Sequence, residues 1–326
     1  MKLFIPFILS FILVKYVRSI SLANNIFIDH PKDRGQHNKP KPRSGGISIF
    51  LSVLFFFIFD FLFEKNMSIN LLVIFISFSF SYFFIGLLDD FTNLNFKLKF
   101  FLQIISSIST IILIQILFNE EIKNLYFYFL FIFIFSISFV NINNFMDGTD
   151  SIVITNFIFF LINSILYLYI FDLVDLTSFL IWLLVTSLVF LFYNFPPSKI
   201  FLGDAGSYFI GSIVVIVVCY LTILDYKYFL IFLNIYSFFL VDTSLTLLRR
   251  LSNKENIFKP HNQHIYQILS LNNNTRFSIK YILYMFILST IIWIPIFHEN
   301  IVILTIINYI LLSYFYLFVR KNEISK

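Results

Sequence analysis

Charge is what this sequence has least of. Asp, Glu, Lys and Arg make up 13% of its 326 residues, about half the share of a soluble domain. That scarcity, beside 59% hydrophobic residues, excludes both a disordered chain and a water-soluble globule. Strict alternation of polar and apolar residues is missing too, which excludes an outer-membrane barrel. There is one cysteine, Cys219; it excludes an intramolecular disulfide and leaves the redox compartment open. No internal repeat, low-complexity tail or soluble domain interrupts the chain. No small-residue cleavage site follows the first apolar run, and Lys15 and Arg18 come after that run. Met1 to Ile20 therefore reads as a retained span, not a signal peptide.

What is present is apolar and long. Phe alone contributes 48 residues. Apolar stretches run over 3–22, 45–63, 70–88, 100–118, 124–140, 151–171, 177–193, 207–224, 228–248, 281–297 and 301–319. Each approaches the ~20 residues a helix needs to cross a bilayer. The expected fold is an all-α, polytopic integral membrane protein, one domain over 1–326, with about 11 transmembrane helices. The gaps 64–69, 119–123, 172–176, 225–227 and 298–300 are short, whereas 23–44, 89–99, 141–150, 194–206 and 249–280 are long and polar. Long gaps follow odd-numbered spans, so all lie on one side. Those loops and the tail 320–326 hold 17 Lys and Arg, joined by Lys15 and Arg18; the other side holds only Lys2, Lys65, Lys123 and Lys227. The positive-inside rule puts the long loops in the cytoplasm, the N-terminus in the periplasm and the C-terminus inside. The net charge of +5 thus reports topology and does not call for nucleic acid.

The long loops also carry the acids. Asp89 and Asp90 end span three; Asp147 and Asp150 follow span five; Asp204 follows span seven; His261 and His264 follow span nine. Lys39, Lys41 and Arg43 precede span two beside Gly45 and Gly46. Taken singly, Asp89-Asp90 reads equally as a helix end in water, Gly203 to Gly206 as a turn with a capping Asp, and the basic run 32–43 as a topology signal. Asp60 and Glu64 read as interfacial. Taken together, five loops on one face each offer a cation, a carboxylate or an imidazole. Acids at membrane depth are costly and usually functional. Acids converging with cations suit an anionic substrate held through a divalent metal, and phosphate chemistry at a lipid surface is the first expectation.

In this order the motifs resemble those of the polyprenyl-phosphate N-acetylhexosamine-1-phosphate transferases. The resemblance runs from Lys39 to Gln267. Lys39-Pro-Lys-Pro-Arg-Ser-Gly-Gly46 is similar to that family's first cytoplasmic loop. Leu88-Asp-Asp-Phe91 followed by Lys97-Leu-Lys-Phe-Phe-Leu-Gln103 resembles its aspartate pair with a downstream Lys. Asn141-Ile-Asn-Asn-Phe-Met-Asp-Gly-Thr-Asp150 resembles the third motif and Pro196-Pro-Ser-Lys-Ile-Phe-Leu-Gly-Asp-Ala-Gly-Ser207 the fourth. Asp242-Thr243 with Arg249-Arg250, then Pro260-His-Asn-Gln-His-Ile-Tyr-Gln267, resemble the ninth span and histidine loop.

The resemblance implies transfer of a sugar-1-phosphate from a UDP-sugar to polyprenyl phosphate in the bacterial inner membrane, giving a polyprenyl-diphosphate sugar and UMP. The fold it implies has a cytoplasmic active-site cleft. The cofactor it implies is Mg²⁺, with Mn²⁺ as the substitute; a homodimer is a further expectation. It assigns the metal to Asp204 and Asn144. It assigns catalysis to Asp89, Asp90, Lys99 and His264, without choosing which aspartate is the base. It assigns substrate binding to Lys39, Asn141, Asp147, Asp150, Phe201 and His261, with Phe201 stacking on uracil. Two departures stand out. Ser151 occupies a place where the family commonly has Gly, and the histidine loop lacks a triple His, which points to the branch that starts surface polysaccharides. The rival reading is a transporter or flippase of lipid-linked sugars, which predicts mid-span charges and inverted repeats.

Overall fold

In a bilayer every backbone amide and carbonyl must find a partner within the chain, so apolar runs of this length become helices. The structure, a computed structural model, describes residues 4–30, 40–117, 125–171, 176–257, 259, 261–271, 273–296 and 300–324. Among these the helices in chain order are α1 (Phe4–Asn24), α2 (Gly45–Phe59), α3 (Ile69–Thr92), α4 (Phe96–Leu117), α5 (Leu125–Phe145), α6 (Ile152–Ile170) and α7 (Thr177–Asn194). Then come α8 (Gly203–Leu224), α9 (Lys227–Ile235), α10 (Ser237–Ser252), α11 (Ile265–Ser270), α12 (Asn274–Ile296) and α13 (Ile301–Ile324). Among the described residues ten segments are long and apolar enough to cross a membrane; α9 and α10, bent by 67° across Tyr236, make an eleventh if taken as one span. The all-α, roughly eleven-span expectation holds.

The central helix is α8. Sixteen of its 22 residues are buried, and it packs against α2, α3 and α5. The outer helices α1, α4 and α13 turn most of their apolar side chains outward, as helices facing lipid do. Small residues let the central elements approach closely. A Cβ on Gly46 would collide with the Gly206 backbone. Gly46→Ala should therefore push α2 off α8 and cost on the order of 2 kcal/mol or more. Thermal unfolding in detergent checks it; an unchanged midpoint would show the crossing to be looser than this.

Between helices, hydroxyls and amides replace the hydrophobic effect that lipid removes. Ser10, Ser52 and Thr186 share hydrogen bonds of 2.9–3.2 Å and lock α1, α2 and α7. Ser107 bridges Tyr82 and Ser136, at 3.1 and 2.9 Å, and locks α3, α4 and α5.

Span nine departs from the single run 228–248 read in the sequence, for a local polar reason. At the break, Ser237 Oγ donates to the Asn234 carbonyl at 2.6 Å and Asn234 Nδ2 to Leu230 O at 2.9 Å. Thr305 and Asn308 of α13 satisfy the same two side chains. Broken backbone at membrane depth survives where protein supplies such partners. Asp60, at the end of the second span, is held within the protein. It is 1% exposed, because its carboxylate takes the Asn66 and Met67 amides at 3.2 and 3.1 Å and so closes a π-helical turn, Asp60–Glu64.

Candidate active site

One end of the bundle collects the polar motifs. The first loop arrives through a two-residue hairpin, β1 (Ile28–Asp29) paired antiparallel with β2 (Lys41–Pro42). It then docks on the loop before α8: Phe201 N donates to Pro42 O at 2.8 Å, Gly45 N to Phe201 O at 2.9 Å and Gly46 N to Leu202 O at 2.8 Å. Gly203 follows with φ +78°, a left-handed turn that costs Gly little. This turn starts α8 so that Asp204 lies in its first turn.

The N-terminus of α8 is capped from another helix. Its own N-cap, Leu202, offers no side-chain acceptor. Asp90, at the end of α3, accepts instead from Asp204 N at 3.2 Å and Ala205 N at 3.0 Å. The Arg43 guanidinium completes the arrangement, with Nε 3.6 Å from Asp90 Oδ1 and Nη2 donating to the Asp90 carbonyl at 2.6 Å. The capping aspartate that the Gly203–Gly206 run suggested is thus Asp90, and the Asp204 side chain takes no part in the cap.

Asp89 points elsewhere, as adjacent helical residues must, about 100° apart. Its Oδ1 takes the Leu94 amide at 2.8 Å and its Oδ2 pairs with Lys99 at the start of α4. Its carboxyl group also touches that of Asp204. Asn144, at the end of α5, donates to Asp204 Oδ1 at 3.0 Å and to Ser207 Oγ at 2.9 Å. Asp89, Lys99, Asn144 and Asp204 therefore form one cluster at the junction of α3, α4, α5 and α8.

Asp147 lies beside this cluster in the turn after α5. Its carboxylate takes no hydrogen bond from any described residue. Burial, then the charges of Asp204, Asp90 and Asp150, push its carboxyl well above the usual range. A cation bound beside these acids would relieve that repulsion. Asp150, buried, accepts from Ser198 Oγ at 2.8 Å and Ser198 N at 3.2 Å, tying the third motif to the fourth. Lys41 donates to the same Ser198 at 3.0 Å and lies 5.0 Å over the Phe201 ring. The half-buried Phe201 ring is thus held beside a cation.

The remaining residues sit at the margins. Asn141, one turn before Asn144 on α5, is engaged in a reciprocal amide pair with Gln103 at 2.8 and 3.2 Å that locks α5 to α4. His264 is 2% exposed and begins α11. The His261 ring lies 4.9 Å from it, and burial, then His264 and Arg250, hold the His261 imidazole down at about 4. Tyr266 OH donates to Phe145 O at 2.8 Å and joins the histidine loop to the end of α5. Lys39 lies outside the described residues. The family's Gly position has a physical explanation here: Ser151 has φ +67°, where Gly is free and Ser is strained. Its N–H donates to Asn194 Oδ1 and its hydroxyl to Ser278, both at 2.9 Å, and these hold the turn.

Sequence reasoning passed over Arg43, Lys41 and Ser198 as individual actors, although all three stand inside quoted motifs. It left Asp242 without a role. The signal there was an isolated acid in an apolar span.

The cluster's chemistry is that of hard oxygen donors. Among the described residues no three His, Cys, Asp or Glu side chains converge as a metal cage. Two carboxylates with an amide beside them suit a divalent ion that completes its shell with substrate phosphates and water.

The family model described as Glycosyl transferase family 4 matches residues 71–222, the stretch that carries Asp89, Lys99, Asn144 and Asp204. Over that stretch the chain is similar to the family. It is 28% identical over 268 residues to an undecaprenyl-phosphate alpha-N-acetylglucosaminyl 1-phosphate transferase of Thermotoga maritima, covering 81% of this chain and 79% of the relative. It is 27% identical over 254 residues to a "Probable undecaprenyl-phosphate N-acetylglucosaminyl 1-phosphate transferase" of Bacillus subtilis, covering 74% and 69%. Both relatives are sugar-phosphate transferases by name.

Proposed function

We propose that this chain transfers a sugar-1-phosphate, GlcNAc-1-phosphate in the first instance, from a UDP-sugar to undecaprenyl phosphate, releasing UMP and starting a surface polysaccharide. The observation that carries the reading is the Asp89–Asp204–Asn144 cluster with Lys99 at its edge, at one end of a membrane bundle. Two phosphate-bearing anions must meet there, so their repulsion must be cancelled. Asp204 and Asp89, with Asn144 beside them, would hold Mg²⁺, or Mn²⁺ in its place, which would supply positive charge against the donor diphosphate. Lys99 would steady the lipid phosphate. Lys41 and Phe201 would receive the uridine, with Lys39 from the same loop.

Direct attack by the lipid phosphate needs little help from a base. Its second pKa is about 6 by analogy with phosphoserine, so it is largely dianionic at cytoplasmic pH. Asp90 is occupied with the α8 amides, which leaves Asp89 as the aspartate that orients the reacting groups. Positive charge on the long loops supports a cytoplasmic face for the site, with the N-terminus outside.

The test is incubation of purified protein with undecaprenyl phosphate, Mg²⁺ and a panel of UDP-N-acetyl sugars, with mass detection of the lipid product. UMP and a polyprenyl-diphosphate sugar should appear and vanish with EDTA. Activity unchanged by EDTA would remove the metal from the reading, and no product from any donor would remove the transferase.

A further inference from the structure

Asp242 lies on α10 just past the break in span nine, and its carboxylate is 2% exposed. It does for α11 what Asp90 does for α8. Oδ1 accepts from Ile265 N at 2.9 Å and Oδ2 from Tyr266 N at 3.1 Å. Thr246, one turn on, donates its hydroxyl to Oδ1 at 3.1 Å, and His264 Nδ1 lies 3.5 Å from the same oxygen. One further turn along the same face comes Arg250, also buried, whose Nη2 donates to Asn256 O at 2.6 Å and Lys259 O at 3.4 Å. Residues 242, 246 and 250 are spaced i, i+4, i+8 and share one helix face. That face therefore holds the histidine loop at both ends: a guanidinium takes its early carbonyls and a carboxylate takes the amides where α11 begins. The loop is then joined to the reaction end of α5 through Tyr266 and Phe145.

We propose that Asp242 is a positioning residue for the transfer reaction, acting through His264. It fixes the loop by its two amide contacts and so sets the place of the imidazole, whose Nδ1 lies against the carboxylate without a hydrogen bond. This rests on the transferase reading of the neighbouring cluster. A buried carboxylate that only stabilised the bundle would act independently of His264.

The experiment is a double-mutant cycle on the full chain in detergent, with Asp242→Asn, His264→Ala and the double variant, combined with hydrogen exchange on peptides spanning 261–268. The expected result is a fall in kcat/KM of about 10–100-fold for Asp242→Asn, within the range seen when an orienting partner is lost. The double variant should be no worse than His264→Ala, within about threefold. The amides of Ile265 and Tyr266 should exchange at least about tenfold faster in Asp242→Asn. Losses that multiply, or unchanged exchange, overturn the proposal. If Asp242→Asn does not insert, Thr246→Val, which frees the carboxylate to rotate, takes its place in the same cycle with the same criteria. Should the wild-type chain release no UMP from any donor, the transferase reading fails, and the positioning role falls with it; the exchange arm then reads only the tether.

Discussion

Asp204→Asn should leave a folded, inserted protein whose turnover is lower by about a thousandfold, roughly 4 kcal/mol of lost transition-state stabilisation. The fold should survive because Asp204 gives its neighbours little that Asn cannot. Its Oδ1 accepts from Asn144 at 3.0 Å, and an amide oxygen accepts equally well. The amides of Asp204 and Ala205 are held by Asp90, not by the Asp204 side chain. The substitution also removes one of two carboxylates in contact, so repulsion with Asp89 disappears. Stability should therefore hold or rise while activity collapses. Chemistry suffers because a neutral amide is a poor ligand for a hard divalent ion and cannot balance its charge. UMP release and thermal unfolding, measured on the same preparation, check both halves. Substantial UMP release would take Asp204 out of the metal role; a collapse of the unfolding midpoint would mean it holds α8 in place after all.

How far the sequence carried this picture depends on which forces it records. A bilayer demands apolar helices of about 20 residues, so the spans were legible, as was the gathering of the long loops at one end. Residue type and order within those loops exposed the acids. What stayed hidden was the partner of each acid. Asp90 caps amides 114 and 115 positions further along the chain, and no local periodicity encodes that pairing. Asp242 was visible as an acid in an apolar span, yet its task depends on where α11 begins, and that helix is only six residues long. The bend at Tyr236 was missed because the run 228–248 is apolar throughout apart from Asn234, Ser237 and a few polar residues near its end. Those two side chains break it only because α13 answers them. Ser151 shows the converse: a departure from the family's Gly was readable at once, and the left-handed backbone that favours Gly there needed coordinates.

The aspartate pair gives the second large effect, because geometry separates two residues that the sequence presented as equals. Asp90→Asn should fail in stability first. Both carboxylate oxygens accept backbone amides of α8, and Arg43 lies against the same group. An Asn at 90 would turn its NH₂ toward one of those amides, donor against donor, and leave the part-buried Arg43 without a counter-charge. The cost should be about 3 kcal/mol, the scale for breaking a buried charged pair. Activity would be lost along with the α8 start that aims Asp204. Asp89→Asn should behave in the opposite way. Its Lys99 partner is partly open to solvent, and the Leu94 amide can still be accepted by an amide oxygen. Its effect on stability should be the smaller of the two, on the order of 1–2 kcal/mol, because one backbone amide depends on it where two depend on Asp90. Its turnover should drop by on the order of a hundredfold or more, because the carboxylate beside Asp204 and Lys99 is gone. Unfolding midpoints and single-turnover UMP release for the two variants decide the matter. If Asp90→Asn unfolds like wild type yet transfers nothing, Asp90 acts on the reacting groups themselves; if Asp89→Asn turns over normally, the cluster at the α3–α8 junction is not where the phosphates meet.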